Sequence, residues 1–162
     1  MRTETLQDIY LKELRYLYGS EKLLMRWLPK LIDKARLPDV RHTLTQHLSQ
    51  TGNHVSRLEQ IFRIHGEKPV VKICKGLKGI LAEAEDDLAV DAAPVVGDAA
   101  IVAAAEQIEH YELAAYGTLQ SYAIHLGHDE AVRFLQATLD EERAADMSLA
   151  EIALSHMHLE AA

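Results

Sequence analysis

The stretch Ala104-Ala-Glu-Gln-Ile-Glu-His-Tyr-Glu-Leu-Ala-Ala-Tyr-Gly-Thr-Leu119 restricts the possible folds of this chain more than any other. Ile101, Ala105, Ile108, Ala115, Leu119 and Leu126 recur at three- and four-residue steps, the spacing of a helix with one buried stripe. Glu109 and Glu112 fall on or beside that stripe, one turn apart, where apolar residues are expected. A carboxylate in an apolar seam costs several kcal/mol unless it is paired, protonated or bound to a cation. Two of them a turn apart need a shared partner, which other segments must supply.

A chain of 162 residues, 48% of them hydrophobic, can build one domain with a real core. With only 4 prolines and 8 glycines, and with long apolar periods, it is expected to be all-α. The formal charge of -8 argues against an electrostatic grip on nucleic acid or anionic membrane. There is no charged-then-apolar leader, and no apolar run near the ~18 residues of a membrane span. The chain is therefore expected to be soluble and cytoplasmic. A single cysteine, Cys74, cannot form an internal disulfide and reads as a buried structural thiol. No nucleophilic triad, phosphate loop or paired-cysteine redox motif is present.

The first segment, about Thr3 to Ala35, carries a stripe through Leu14, Leu17, Leu24, Leu28 and Leu31 that is broken at Glu21. Thr3 or Thr5 can cap it, and Pro29 inside it predicts a kink or a strained turn. A second helix is expected from Pro38 to His65, with Gly66 as its stop. Its seam reads Val40, Leu44, His47 or Leu48, Thr51, His54 or Val55, Leu58, and Ile61 or Phe62. Gly52 within it suggests close packing or a local distortion. From Glu67 to Asp98 a shorter helix, with Cys74, Leu77 and Leu81 on its apolar side, reads as part of a long crossover. Such a crossover can run the length of a bundle and leave the flanking helices parallel. The acidic run from Glu83 to Asp87 is its solvated face. The third main helix should run from about Asp98 to Leu126, stopped by Gly127, and the fourth from His128 or Asp129, with a frayed end. The histidines at 42, 65, 125, 128, 156 and 158 lie near helix ends and read as surface groups.

The first and second helix pairs echo each other. One slide pairs Leu44 with Leu135, Leu48 with Leu139, Leu58 with Leu149 and Ile61 with Ile152. The same slide pairs Glu21 with Glu112 and Thr51 with Glu142. Polar interruptions thus fall near the middle of all four long segments. A helix of about 25 residues spans about 38 Å, so these groups lie far from solvent at either end. For any one glutamate, a helix turned to face water is the ordinary explanation. Four at matched depth point instead to a shared interior cluster: Glu21, Gln50 with His54, Glu109 with Glu112, and Glu142 with Asp146. Carboxylates gathered in a low-dielectric core repel one another and demand cations. Oxygen-rich sites with one or two imidazoles suit iron or manganese, with zinc as a further option.

Ile108-Glu-His-Tyr-Glu-Leu-Ala-Ala-Tyr-Gly-Thr-Leu119, Tyr18-Gly-Ser-Glu-Lys-Leu23, the Cys74 crossover and Leu139-Asp-Glu-Glu142 resemble the YciE/YciF-type bacterial stress proteins, a ferritin-like family without an assigned reaction. The resemblance spans nearly the whole chain. It implies a single ferritin-like four-helix bundle over residues 1–162, with an extra helix in the crossover at about 67–98. It also implies a homodimer, stress-linked expression and, from the wider relatives, a di-iron centre that handles oxygen or peroxide. The rubrerythrin pattern places Glu on the first helix, Glu-x-x-His on the second, Glu-x-x-Glu on the third and Glu-x-x-His on the fourth. Glu21 matches the first, and Glu109 with Glu112 the third. The second has only His54 of its pair and the fourth only Glu142. Gln50 and Asp146, each four residues from these, are the substitute oxygen donors. His54 is then the one evident imidazole, unless His47 or His110 turns inward. The alternative to a metalloprotein is a non-enzymatic helical stress protein whose degenerate centre is a hydrogen-bonded polar core, acting through its surface or its dimer.

Overall fold

A computed structural model describes residues 5–88 and 93–156 of the chain. Among these the regular elements are all helical: α1 (Leu6–Lys34), α2 (Pro38–Ile64), α3 (Lys75–Asp87), α4 (Pro94–His125) and α5 (Asp129–His156). Local chemistry sets most of the ends. Thr5 opens α1 with a capping box, its hydroxyl accepting from Asp8 N–H at 3.1 Å while its own N–H donates back to the Asp8 carboxylate. Pro38 begins α2, where its missing N–H costs nothing. Gly66 and Gly127 take positive φ (64° and 71°) just past α2 and α4, the conformation that ends a helix without a Cβ penalty. The other cap candidate, Thr3, and the final residues, His158 included, lie outside the described residues.

Four helices close a ring: α1 packs on α2, α2 on α5, α5 on α4, and α4 back on α1. Asp98, buried near the start of α4, accepts from the N–H groups of Arg36 (2.8 Å) and Leu37 (2.5 Å) in the α1–α2 turn. The start of α4 therefore lies beside the start of α2, and the two run parallel, as the long crossover implied. The crossover helix α3 covers the outer side of α4. A helix covered on so many sides can be apolar nearly all round, which suits the Val95–Ala105 run.

The hydrophobic interior is divided. One half gathers Leu24, Leu28, Leu31, Leu44, Ile101, Ile108 and Leu149. The other gathers Tyr10, Leu14, Leu17, Leu58, Phe62, Tyr116, Leu119 and Leu139. Between them on every long helix stand the polar interruptions: Glu21 between Leu17 and Leu24, His47 to His54 between Leu44 and Leu58, Glu109 and Glu112 between Ile108 and Tyr116, Glu142 between Leu139 and Leu149.

Several local expectations are corrected. Helix α1 runs through Pro29 unbroken; Pro29 and Met25, whose carbonyl loses its usual partner, both lie on the solvent side, where water can replace the bond. Helix α4 starts at Pro94 and not near Asp98, because proline fits a first helical turn as readily as a loop. Gly52 answers no close approach, since a Cβ there would meet nothing within 4 Å. The glycine that does is Gly19, where a Cβ would collide with the Lys72 carbonyl oxygen of the crossover, itself tied to α1 by a bond from Lys72 N–H to the Arg15 carbonyl (3.2 Å). Cys74 is half-buried, accepts from Leu77 N–H as the cap of α3 and contacts the Tyr111 hydroxyl. His42 and His125 are exposed as expected, but His65 and His128 are half-buried. Their rings lie 4.4 Å apart beside Tyr10, whose hydroxyl is 3.0 Å from His65 Nε2.

Candidate metal centre

Each of the four bundle helices turns a polar side chain inward at mid-length. Glu21 from α1, His47 and His54 from α2, Glu109 and Glu112 from α4, and Glu142 from α5 are all buried, none more than 3% exposed. They form two groups that share Glu142: Glu21, His54 and Glu142, and His47, Glu109, Glu112 and Glu142. In the first, His54 Nδ1 lies 3.3 Å from Glu21 and 3.1 Å from Glu142. In the second, His47 Nδ1 lies 3.2 Å from Glu109 and 3.8 Å from Glu142, and its Nε2 3.7 Å from Glu112. Neighbouring donors around an ion bound at about 2.1 Å stand about 3 Å apart, so little movement separates these positions from a coordination shell.

The surroundings of the two imidazoles differ. His54 presents Nδ1 to the interior and donates from Nε2 to Glu141 at 2.8 Å. Glu141 is clasped by Arg57 through two bonds of 2.6 and 2.7 Å, and Arg57 also reaches Thr138. Tyr116, fully buried, donates its hydroxyl proton to Glu21 at 2.5 Å. Thr51, at the depth of the missing carboxylate on α2, spends its hydroxyl on the His47 carbonyl.

Charge decides the protonation pattern. Burial, then repulsion from neighbouring carboxylates, pushes Glu109 and Glu112 well above the usual carboxylate range. Burial also raises Glu21, against the pull of His54. Burial acts the same way on Glu142, but the imidazoles of His54 and His47 close by outweigh it and hold it low. Burial disfavours the charged form of His54, yet the carboxylates around it outweigh this and push it up to about 10. His47 is shifted down, burial being the larger effect. Burial and mutual repulsion thus favour the protonated forms of Glu21, Glu109 and Glu112 over those of exposed carboxyls.

The donor set also passes a test of fit. Among the described residues, ten buried side-chain atoms have no hydrogen-bond partner. Nine belong to this cluster: Glu21 Oε2, both nitrogens of His47, His54 Nδ1, Glu109 Oε2, and both oxygens of Glu112 and of Glu142. Unsatisfied groups at that density are too costly for an ordinary apolar core and suit a site that takes up a cation.

Of the seven residues singled out from sequence, five meet here: Glu21, His54, Glu109, Glu112 and Glu142. Gln50 and Asp146 do not. Gln50 is half-buried and lines a small depression between α2 and α5 with Gln46 and Ala145. Asp146 lies nearer the surface and pairs with the exposed His110 at 3.3 Å. His47 is the donor outside that set. It stands two helical turns before His54, about 20° from it around the axis, whereas Gln50 is about 40° off on the other side. The heptad spacing of the two histidines is the signal that marks it. Glu141 and Arg57 carry no such signal, because their pairing spans two helices.

The bundle, its crossover helix and its belt of inward carboxylates and imidazoles define a ferritin-like protein of the YciF type. The model of the family described as a domain of unknown function, DUF892, matches residues 5–162, and the chain belongs to that family. Protein YciF of Escherichia coli (strain K12) is 32% identical over 162 residues, 99% of this chain and 98% of that protein. The crystal structure of the E. coli stress protein YciF superposes with a TM-score of 0.93 at 31% identity, covering 98% of this chain and all (100%) of that one. YcfI from Rhodopseudomonas palustris superposes at 0.89 with 42% identity, over 91% of this chain and 94% of the other. A protein from Xanthomonas campestris, 17% identical with a TM-score of 0.76, shares the fold, over 98% of this chain and 100% of that chain.

Proposed function

We propose that this chain is a stress protein that binds two metal ions, iron in the first instance, in the middle of its bundle. Glu21 and His54 hold one ion, His47, Glu109 and Glu112 the other, and Glu142 lies between them. The observation that carries this reading is the set of nine buried carboxylate and imidazole atoms, from four helices, that have no hydrogen-bond partner in the protein. Carboxylates with two imidazoles suit iron or manganese, with zinc as a further candidate.

When bound, iron would supply electrons for the reduction of dioxygen or peroxide. The protein supplies the setting. Tyr116 fixes Glu21 by its hydroxyl bond, Glu141 fixes the His54 ring, and burial keeps bulk water from the reacting volume. In the cell we place the protein in the cytoplasm as a homodimer, in keeping with its resemblance to the YciF-type proteins. Among the described residues no helix is long and apolar enough to cross a membrane.

The test is elemental analysis of protein purified without chelator, followed by anaerobic Fe2+ titration and exposure to air or peroxide. About two ions per chain and an oxidant-dependent absorbance change are expected. Protein that takes up no ion under any loading condition rules the proposal out.

A further inference from the structure

We infer that Glu141, held by Arg57, is a positioning residue for one of the two metal positions and not the other. The inference rests on the metal-binding reading above. Its starting point is the unequal footing of the two imidazoles. His54 has one nitrogen turned inward, Nδ1, among Glu21 and Glu142, and the other fixed outward on Glu141. His47 has both nitrogens facing carboxylates of the interior, and neither makes a hydrogen bond.

A carboxylate can only accept, so Glu141 requires the proton of a neutral His54 to sit on Nε2. That tautomer leaves the lone pair on Nδ1, the atom aimed at Glu21 and Glu142. Glu141 is itself not free to swing: Arg57 grips both its oxygens, and this pairing holds its carboxyl below the usual range. Arg57 lies one turn beyond His54 on α2, and Glu141 directly precedes Glu142 on α5. The clasp therefore holds the Glu141 carboxylate against the outer nitrogen of His54. Outer partners of this kind orient ligating imidazoles and typically govern metal affinity by about 10–100-fold. Among the described residues no side chain outside the cluster bonds to the His47 ring, so the position it shares with Glu109 and Glu112 lacks this outer support.

The experiment is an anaerobic Fe2+ titration by calorimetry of the wild-type chain, Glu141→Ala and Glu141→Gln, each freed of metal first. Glu141→Ala should weaken one of the two binding steps about 10–100-fold and leave the other within about 2-fold. Glu141→Gln keeps an oxygen that can accept from Nε2–H and should recover most of the loss. Equal weakening of both steps would mark Glu141 as a structural residue only, and unchanged binding, or no rescue by glutamine, would equally overturn the role. Wild-type protein that binds no Fe2+ removes the metal reading and this role with it; two normal steps in Glu141→Ala remove the role alone. Thermal melting of the metal-free variants distinguishes lost ligand orientation from lost folding.

Discussion

At the scale of single residues the buried cluster costs the metal-free fold stability. Glu112 has neither oxygen satisfied and is surrounded by like charges, so it strains the metal-free fold. Replacing Glu112 by Gln removes that repulsion while nearly keeping the volume. Glu112→Gln should therefore raise metal-free stability at pH 8 by about 1 kcal/mol, measured by urea unfolding, and weaken metal uptake at the His47 position. A variant that loses stability would show that Glu112 is already compensated. Residues of this kind were legible in the sequence because each interrupts an apolar stripe at a fixed depth. Gln50 and Asp146 stood beside such interruptions but not on the inward line, and only packing resolves a difference of about 40°. The Glu141–Arg57 clasp was hidden for another reason: both residues look like ordinary surface charges until α2 and α5 are laid together.

Among the helices, the boundaries were readable wherever chemistry punctuates the chain. Pro38, Gly66 and Gly127 mark them, and the structure follows each to within a residue or two. The start of α4 was not readable, because Pro94 lies in a small-residue stretch that suits a loop or a first turn equally. Two glycines offer opposite tests. Gly52 sits inside α2 with open space where a side chain would go, so Gly52→Ala should stabilise the protein by about 0.5–1 kcal/mol. Gly19 lies under the crossover, and Gly19→Ala must push the Lys72 backbone off α1, with an expected loss of about 1–3 kcal/mol. Thermal or chemical denaturation of the two variants side by side would check both signs. Loss of stability in Gly52→Ala would mean that α2 needs its glycine for a purpose other than packing.

For the molecule as a whole, the fold was legible down to its parallel α2 and α4, whereas the identity of the ion proposed for the centre is not written in any helix. Its acid–base behaviour gives a global test. Glu21, Glu109 and Glu112 hold protons more tightly folded than unfolded, so their contribution is complete below the ordinary carboxyl value of 4.5 and fades as pH rises through their higher folded values. His54 acts in the same sense, contributing fully below 6.5 and losing its part as pH approaches about 10. Glu142 and His47 shift the opposite way but are outnumbered. Metal-free protein should therefore be more stable at pH 5 than at pH 8, and loading should flatten or reverse that slope while releasing protons, detectable as buffer-dependent heats of binding. A metal-free protein that gains stability toward pH 8 would contradict this balance. The divided interior carries a consequence for motion as well. Helices ordinarily loosen from their tips, but here the oily grip is at both ends and the waist is a belt of crowded, poorly satisfied polar groups. Before ions enter, amide exchange should be quickest around the girdle of the barrel and slowest toward its two poles, and loading should draw the girdle tight.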